Sequence, residues 1–343
     1  MFRMNKVLLL LLALVIGFSF QASAYAQTDV KAKLKTIKPK DYPTEPITFV
    51  VVYPAGGGMD VTVRLLAKYV EKYIDTRVIV ENRPGGNGII GHTYLTTQAK
   101  NDGYTVALLA GGYFWQDSLL RSGGKWSYRN LEPLAYINED PNTWVVSTEG
   151  ILKDKSLKEV IALAKQKPDT ISVAIGVDTI PQFLVEDVEM SSGAKFTKVP
   201  FQGGAPGVIS MLGGHIDIAG YYYNEYKSFI EAGKVKVLGQ AGAERSDYFP
   251  NTPTFNETLG VNHILWSVWR YAAVPKGVPP ERAKYLEEAI LAALHDPECI
   301  KEYANIGSKV GNKYLDAKQT TLEVEKQYKA TQDFFNKTGR IPK

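Results

Sequence analysis

The hydrophobic pattern changes period repeatedly along the chain. Residues 46–53 form an apolar, β-branched run that predicts a buried strand. Pro54-Ala55-Gly56-Gly57-Gly58 breaks it, and Leu65, Leu66, Tyr69, Val70 and Tyr73 then recur at helical spacing. A strand over 77–80, a glycine turn at 82–88, a helix to about residue 99 and a strand over 104–109 complete a strand–helix–strand–helix–strand block. Such alternation predicts a mostly parallel sheet with helices on both faces. The pattern then recurs. Strands are expected over 144–147, 171–175, 197–199, 216–219 and 235–238, with helices over 157–165, 181–190, 206–212 and 225–232 between them. A strand over 269–274 is followed only by helices, over 280–294, 297–306 and 320–335. The fold expected is α/β with two lobes, and the C-terminal helices return to the first. Lobe 1 takes 42–139 plus 266–343 and lobe 2 takes 140–265, with crossings near 137–142 and 263–267.

The N-terminus follows a different rule. Arg3 and Lys6 precede an apolar run over 7–20, and two small-x-small sites follow, Ala22-Ser23-Ala24 and Ala24-Tyr25-Ala26. This is the anatomy of a secretory signal over 1–26, cleaved near Ala24 or Ala26, and the run is short for a bilayer span. The polar, Lys-rich stretch 27–41 reads as a flexible, disordered leader. The mature protein is expected to be exported. Cleavage after Ala26 removes two basic residues, so the formal charge of +4 falls to 4 − 2 = +2. A nearly neutral protein argues against nucleic-acid partners. A single cysteine, Cys299, excludes an intrachain disulfide and a cysteine zinc cluster.

Candidate chemistry gathers in glycine loops at the carboxyl ends of strands, where open parallel sheets bind ligands. The first is Tyr53-Pro54-Ala55-Gly56-Gly57-Gly58-Met59-Asp60, between strand and helix. Glycines let backbone N–H groups approach a ligand, and a helix N-terminus adds partial positive charge, so a carboxylate or phosphate fits there. The loop is neither GxGxxG nor a Walker P-loop. Asp60 reads as a helix-start residue. The second loop is Gly176-Val177-Asp178-Thr179-Ile180-Pro181-Gln182 and the third Gln202-Gly203-Gly204-Ala205-Pro206. Each alone also fits a plain turn; together, on two lobes, they point to a cleft. Tyr221-Tyr222-Tyr223 after a strand either lines that cleft or packs the lobes together. Catalytic signatures are missing from the sequence. His92, His215, His263 and His295 have no metal-site spacing, no GxSxG elbow is present, and Cys299 reads as a packing residue.

Several segments follow one another in a recognisable order: Tyr42-Pro43, PAGGGMD (54–60) with Arg64-Leu65-Leu66, VENRPGGNGIIG (80–91) and NDGYT (101–105). VPFQGG (199–204), Met211-Leu212-Gly213-Gly214-His215-Ile216-Asp217, AGKVKVL (232–238), PNTPTFNETLG (250–260) and VPKGVPP (274–280) come after. Over residues 42–340 the chain resembles the substrate-binding proteins of tripartite tricarboxylate transporters, the Bug-type extracytoplasmic receptors. The resemblance implies a type II periplasmic binding fold that closes on a small carboxylate and delivers it to a membrane permease, without chemistry or cofactor; a monomer is the default expectation. The chain matches the family at Tyr53, Pro54, Ala55, Gly56, Gly57 and Asp60, at Gly86, Asn87 and Gly88, and at Gln202, Gly203 and Gly204, and the loop reading adds Gly58 to the expected substrate contacts. Gly111, Gly176, Asp178, Thr179, Gln182, Tyr222 and Arg270 complete the candidate set. The second-lobe loop departs from the family's Gly-Ser-rich form: Thr179 can replace a serine hydroxyl, but Asp178 adds negative charge. Arg270, in Trp269-Arg270-Tyr271, either grips a second carboxylate or makes an ion pair. The ligand stays open among di- or tricarboxylates and aromatic carboxylates, and a sensor presenting its ligand to a two-component kinase is the alternative role.

Overall fold

The computed structural model describes residues 29–201, 203–310 and 314–341. The signal segment 1–26 and Gln202 lie outside the described residues. Two five-stranded sheets form the frame, with strands β1 (Ile47–Val51), β2 (Val78–Asn82), β3 (Thr105–Ala110), β4 (Leu131–Pro141) and β10 (Ser267–Pro275) in the first. The second holds β5 (Thr143–Ser147), β6 (Ser172–Ile175), β7 (Thr197–Pro200), β8 (Ile218–Tyr221) and β9 (Val235–Gln240). Their orders are β2-β1-β3-β10-β4 and β7-β6-β8-β5-β9. In each, the fourth strand is antiparallel to both neighbours and the other four run one way. The odd strand is the one that enters from the other lobe, so β4→β5 and β9→β10 are the two crossings.

The helices are α1 (29–37), α2 (Gly58–Ile74), α3 (Ile89–Thr97), α4 (Gly111–Leu120), α5 (Leu157–Gln166) and α6 (Ile180–Ser192). They continue with α7 (Gly204–Leu212), α8 (Tyr223–Glu231), α9 (Phe255–Leu259), α10 (Pro280–Leu294), α11 (Pro297–Asn305) and α12 (Ala317–Lys337). Each sheet buries both faces. Phe49, Val51, Leu66 and Ile290 share the core on one face of the first sheet, and Val50, Val52, Leu109 and Trp269 that on the other. This explains why β1 reads as a continuous apolar run rather than an alternating one. None of the helices among the described residues is long and apolar enough to cross a membrane.

Three expectations need correction. The leader is not disordered over 29–37. Val30, Leu34 and Ile37 fall at i, i+4 and i+7 on one helix stripe, Leu34 is buried in the first-lobe core, and Lys33 reaches Glu288 at 2.8 Å. The first stretch of lobe 1 runs beyond 139, because β4 extends to Pro141; Asn138, Glu139 and Asp140, polar enough to read as loop, are strand residues with partners across the sheet and lobes. The last helix does not belong to the first lobe alone. It packs along β4 and α4, and its Phe334 and Phe335 enter a core shared with Trp144, Phe183 and Trp266.

Candidate functional site

The first glycine loop leaves β1 at its carboxyl end and starts α2. Asp60 is buried and organises it: Gly56 N–H donates to Oδ2 at 2.8 Å, Arg64 Nε to the same oxygen at 2.9 Å, and Asn82 Nδ2 to Oδ1 at 2.9 Å. Asn82 Nδ2 also donates to the Tyr53 carbonyl at 3.0 Å, tying β2 to the loop. Burial alone raises the Asp60 pKa, but the Arg64, Gly56 and Asn82 donors more than offset it, so the carboxyl is held below its ordinary range. Asp60 is therefore a loop-positioning residue, as its place at a helix start implies. The Gly56 amide is already used. No side chain caps α2 at Gly57, so its first-turn amides, at Gly58, Met59 and Asp60, have no intrahelical acceptor. Pro54, Ala55, Gly56, Gly57 and Gly58 are all exposed.

The next turn, containing Asn87 and Gly88, follows β2. Gly88 adopts φ +106°, and a Cβ on Gly91 would stand 2.6 Å from Val52, so the turn packs directly against β1. Behind it His92 is fully buried, with Nδ1 2.7 Å from Asp117 Oδ2, and Arg121 holds the other Asp117 oxygen at 3.0 Å. Gly111 begins α4 but is enclosed: a Cβ there would meet Trp115 at 2.6 Å and the Trp269 carbonyl at 3.1 Å. The structure thus places Gly111 as a packing glycine beneath the cleft.

In the second lobe, Asp178 has φ +51° and is exposed, and its carbonyl accepts from Gln116 Nε2 of α4 at 2.8 Å. The Asp178 amide donates to Gln182 Oε1 at 2.8 Å, and the Thr179 hydroxyl donates to the Gly176 carbonyl at 2.7 Å. Both side chains are thus engaged within their own loop. Gly203, at φ +93°, leads into α7. There the Gly204 amide donates to Glu225 Oε1 at 3.0 Å, and the Tyr222 amide donates to the other oxygen at 3.1 Å. One carboxylate of the chain itself therefore sits on two helix N-termini. Burial pushes the Glu225 pKa up, and these two amides offset only part of that.

The lobes meet along two edges. A Cβ on Gly112 would stand 2.7 Å from Ile180 Cδ1, and one on Gly58 3.6 Å from Asn224 Nδ2. The first loop thus faces α8, while the Gly176–Gln182 loop faces α4. Between these edges Tyr113 and Tyr222 hydroxyls lie 3.4 Å apart across the lobes, and Tyr53 packs edge-on to Tyr113 at 6.4 Å. Arg270 pairs with Ala110 at the end of β3 and reaches the same region. It forms a short ion pair with Asp140 through Nη1, which is also 3.4 Å from Asn138 Oδ1. Tyr248 of the second lobe donates to the other Asp140 oxygen at 2.9 Å. The Tyr53 hydroxyl and Arg270 Nε are buried without a partner. Burial works against the Arg270 charge, and Asp140 more than compensates, so the guanidinium remains ionised.

Sequence reasoning located Tyr53, Tyr222 and Arg270 in this junction but missed Tyr113, Asp140, Tyr248 and Glu225. Asp140 lies 130 residues from Arg270, with no local motif to join them. Glu225, three residues after Tyr222 at a helix start, had a capping-type spacing that identifies it in retrospect.

A hydrolytic arrangement is not built. Ser191 Oγ and Asp187 Oδ1 both approach Nε2 of His263, each at 3.2 Å, so the imidazole cannot relay a proton from one to the other. Among the described residues no cluster of three metal-ligating side chains occurs. Two α/β lobes with glycine loops at their strand ends make the frame shared with periplasmic solute-binding proteins. The chain belongs to the tripartite tricarboxylate transporter family receptors, whose family model matches residues 62–341. It is a binding receptor of that Bug-type class, not an enzyme. It is 30% identical to protein BugT of Bordetella pertussis over 274 residues, covering 78% of this chain and 82% of BugT. A TctC solute-binding protein from Polaromonas superposes with a TM-score of 0.72 at 30% identity, over 86% of this chain and 99% of that one. An R. palustris protein solved with adipate shares the fold, with a TM-score of 0.69 at 23% identity, over 87% of this chain and 99% of that one.

Proposed function

We propose that this receptor works in the periplasm, after cleavage of its N-terminal signal, as a monomer. It captures a small carboxylate between its lobes and passes it to a tripartite tricarboxylate-type membrane permease. The ligand carboxylate lies on the uncapped first turn of α2, at the amides of Gly58 and Met59, beside Gly56 and Gly57. The observation carrying this reading is the uncapped, exposed first turn of α2, which faces α8 of the other lobe and belongs to the same lobe as the unpartnered Tyr53 hydroxyl and Arg270 Nε. A helix N-terminus favours negative charge, and closure over it removes the competing water. The adipate in the R. palustris relative supports a carboxylic acid as ligand class.

A thermal-shift screen of the exported protein against aliphatic and aromatic mono-, di- and tricarboxylates tests this. Ligand at about 100 times its dissociation constant adds roughly 2.7 kcal/mol, a shift of a few degrees for a protein of this size. Gly57→Val lowers affinity for the acid so found by about tenfold or more, because the side chain crowds the loop. Unchanged affinity in that variant contradicts the placement.

A further inference from the structure

We propose that Asp140 is a specificity-determining residue: by holding Arg270 in a buried ion pair, it makes the lobe junction take the uncharged oxygen-bearing end of a monocarboxylate and refuse a second carboxylate. The inference rests on the carboxylate-receptor reading and narrows its ligand class.

The charges close to the junction decide this. Arg270 stands at the junction with its Nη1 committed to Asp140 and Asn138, while Arg121 and Asp117, which also act on Tyr53, pair with each other and cancel. Asp140 is equally committed. Its Oδ1 accepts from Tyr248 at 2.9 Å and from Asn138 Nδ2 at 3.3 Å, while Oδ2 takes Arg270. That pair is neutral as a unit. Glu225 adds a further buried carboxylate beyond Tyr222, whose hydroxyl pKa is pushed up by burial first, then by Tyr113, and then by the Glu225 charge. The nearby Lys309 ammonium is turned outward, over the Tyr248 ring at 5.0 Å and onto the Asp247 carbonyl at 2.6 Å. The formal sum over Arg270, Asp140 and Glu225 is therefore +1 − 1 − 1 = −1. A second ligand carboxylate brought here meets net negative charge in a low-dielectric site, where like charges repel far more than in water.

What the junction still offers is a few hydrogen-bond donors whose charge is already balanced. Arg270 Nε is buried with no acceptor, and the Tyr53 hydroxyl is buried with no partner. The Tyr113 and Tyr222 hydroxyls share one long contact of 3.4 Å that opening of the lobes breaks. An alcohol, carbonyl or ester oxygen satisfies these donors at no charge cost; aromatic or aliphatic carbon between it and the first carboxylate lies against the tyrosine rings. A charged donor left buried without an acceptor is costly, so such a ligand gains selectivity as well as affinity.

The test is isothermal titration at neutral pH with two matched pairs: monomethyl adipate against adipate, and 4-hydroxybenzoate against terephthalate. The expected result is that, in the pair whose skeleton fits, the monoacid binds at least about tenfold tighter than the diacid. Asp140→Asn frees Arg270 and shifts that ratio toward the diacid by about tenfold or more. The same variant also melts lower without ligand, and its melting temperature recovers more with diacid than with monoacid. Glu225→Gln, which keeps a side-chain acceptor for the Gly204 amide, shifts the ratio in the same direction and serves if Asp140→Asn does not fold. A wild-type protein that binds the diacid as tightly as the monoacid overturns the inference while leaving the carboxylate reading intact. So does an unchanged ratio in the folded variants. Failure of all four acids to bind contradicts the carboxylate reading itself.

Discussion

At the scale of single residues, two carboxylates at strand ends do opposite work. Asp60 collects Gly56, Arg64 and Asn82 and is held below the usual carboxylate range; Glu225 collects two amides but is pushed up by burial. The consequence for stability has a sign. A carboxyl whose folded pKa is depressed contributes stability above its unfolded value, here 3.8, and loses it as pH falls through the folded value. Asp60→Ala is therefore expected to cost about 1.5–3 kcal/mol at neutral pH, the worth of hydrogen bonds to a charged acceptor. The difference from wild type shrinks as the solution is acidified below the unfolded pKa. Urea unfolding of both proteins across that range checks it, and a pH-independent difference contradicts this role for Asp60. The sequence made Asp60 legible as a helix-start residue because its neighbours are local. Asp140 was not legible, since its meaning comes from Arg270 and Tyr248, brought to it by a sheet and a lobe contact.

At the scale of elements, most strands and helices were readable because their periods are clean. β1 is buried on both faces and reads as an unbroken apolar run, and α10 begins at the proline that the sequence places at its first turn. The failures share a cause. α4 opens with Gly111-Gly112, which reads as a break, yet those glycines are needed for close approach to Trp115 and Ile180. β4 carries polar residues whose partners lie on other elements. α1 hid its stripe of Val30, Leu34 and Ile37 among lysines. Because Leu34 is buried in the first-lobe core, Leu34→Ala should lower stability by about 2–3 kcal/mol, at the modest end for such a truncation because a peripheral helix can relax. Denaturant unfolding reads this directly, and a loss below about 0.5 kcal/mol, the range of ordinary surface changes, contradicts docking of the helix.

For the molecule as a whole, the two sheets repeat one strand order, and each borrows its antiparallel strand from across a crossing. That exchange leaves two strand connections between the lobes, β4→β5 and β9→β10, while α12 lies along the first lobe and anchors Phe334 and Phe335 in the core of the second. Loops far apart in sequence thus come together at the lobe junction, and in the proposed function they enclose one ligand on closure. The two-lobed class was legible from the alternation of elements. Which loops face which was not: the first glycine loop meets α8 at Asn224, and the Gly176–Gln182 loop meets α4 at Gln116. The central claim, capture of a carboxylate by charge at the first loop, is tested most directly by titrating the exported receptor calorimetrically with the best acid from the screen and with its primary amide. The account predicts one site per chain for the acid and an affinity for the amide lower by about a hundredfold, near 2.7 kcal/mol. Equal affinity for acid and amide would contradict it.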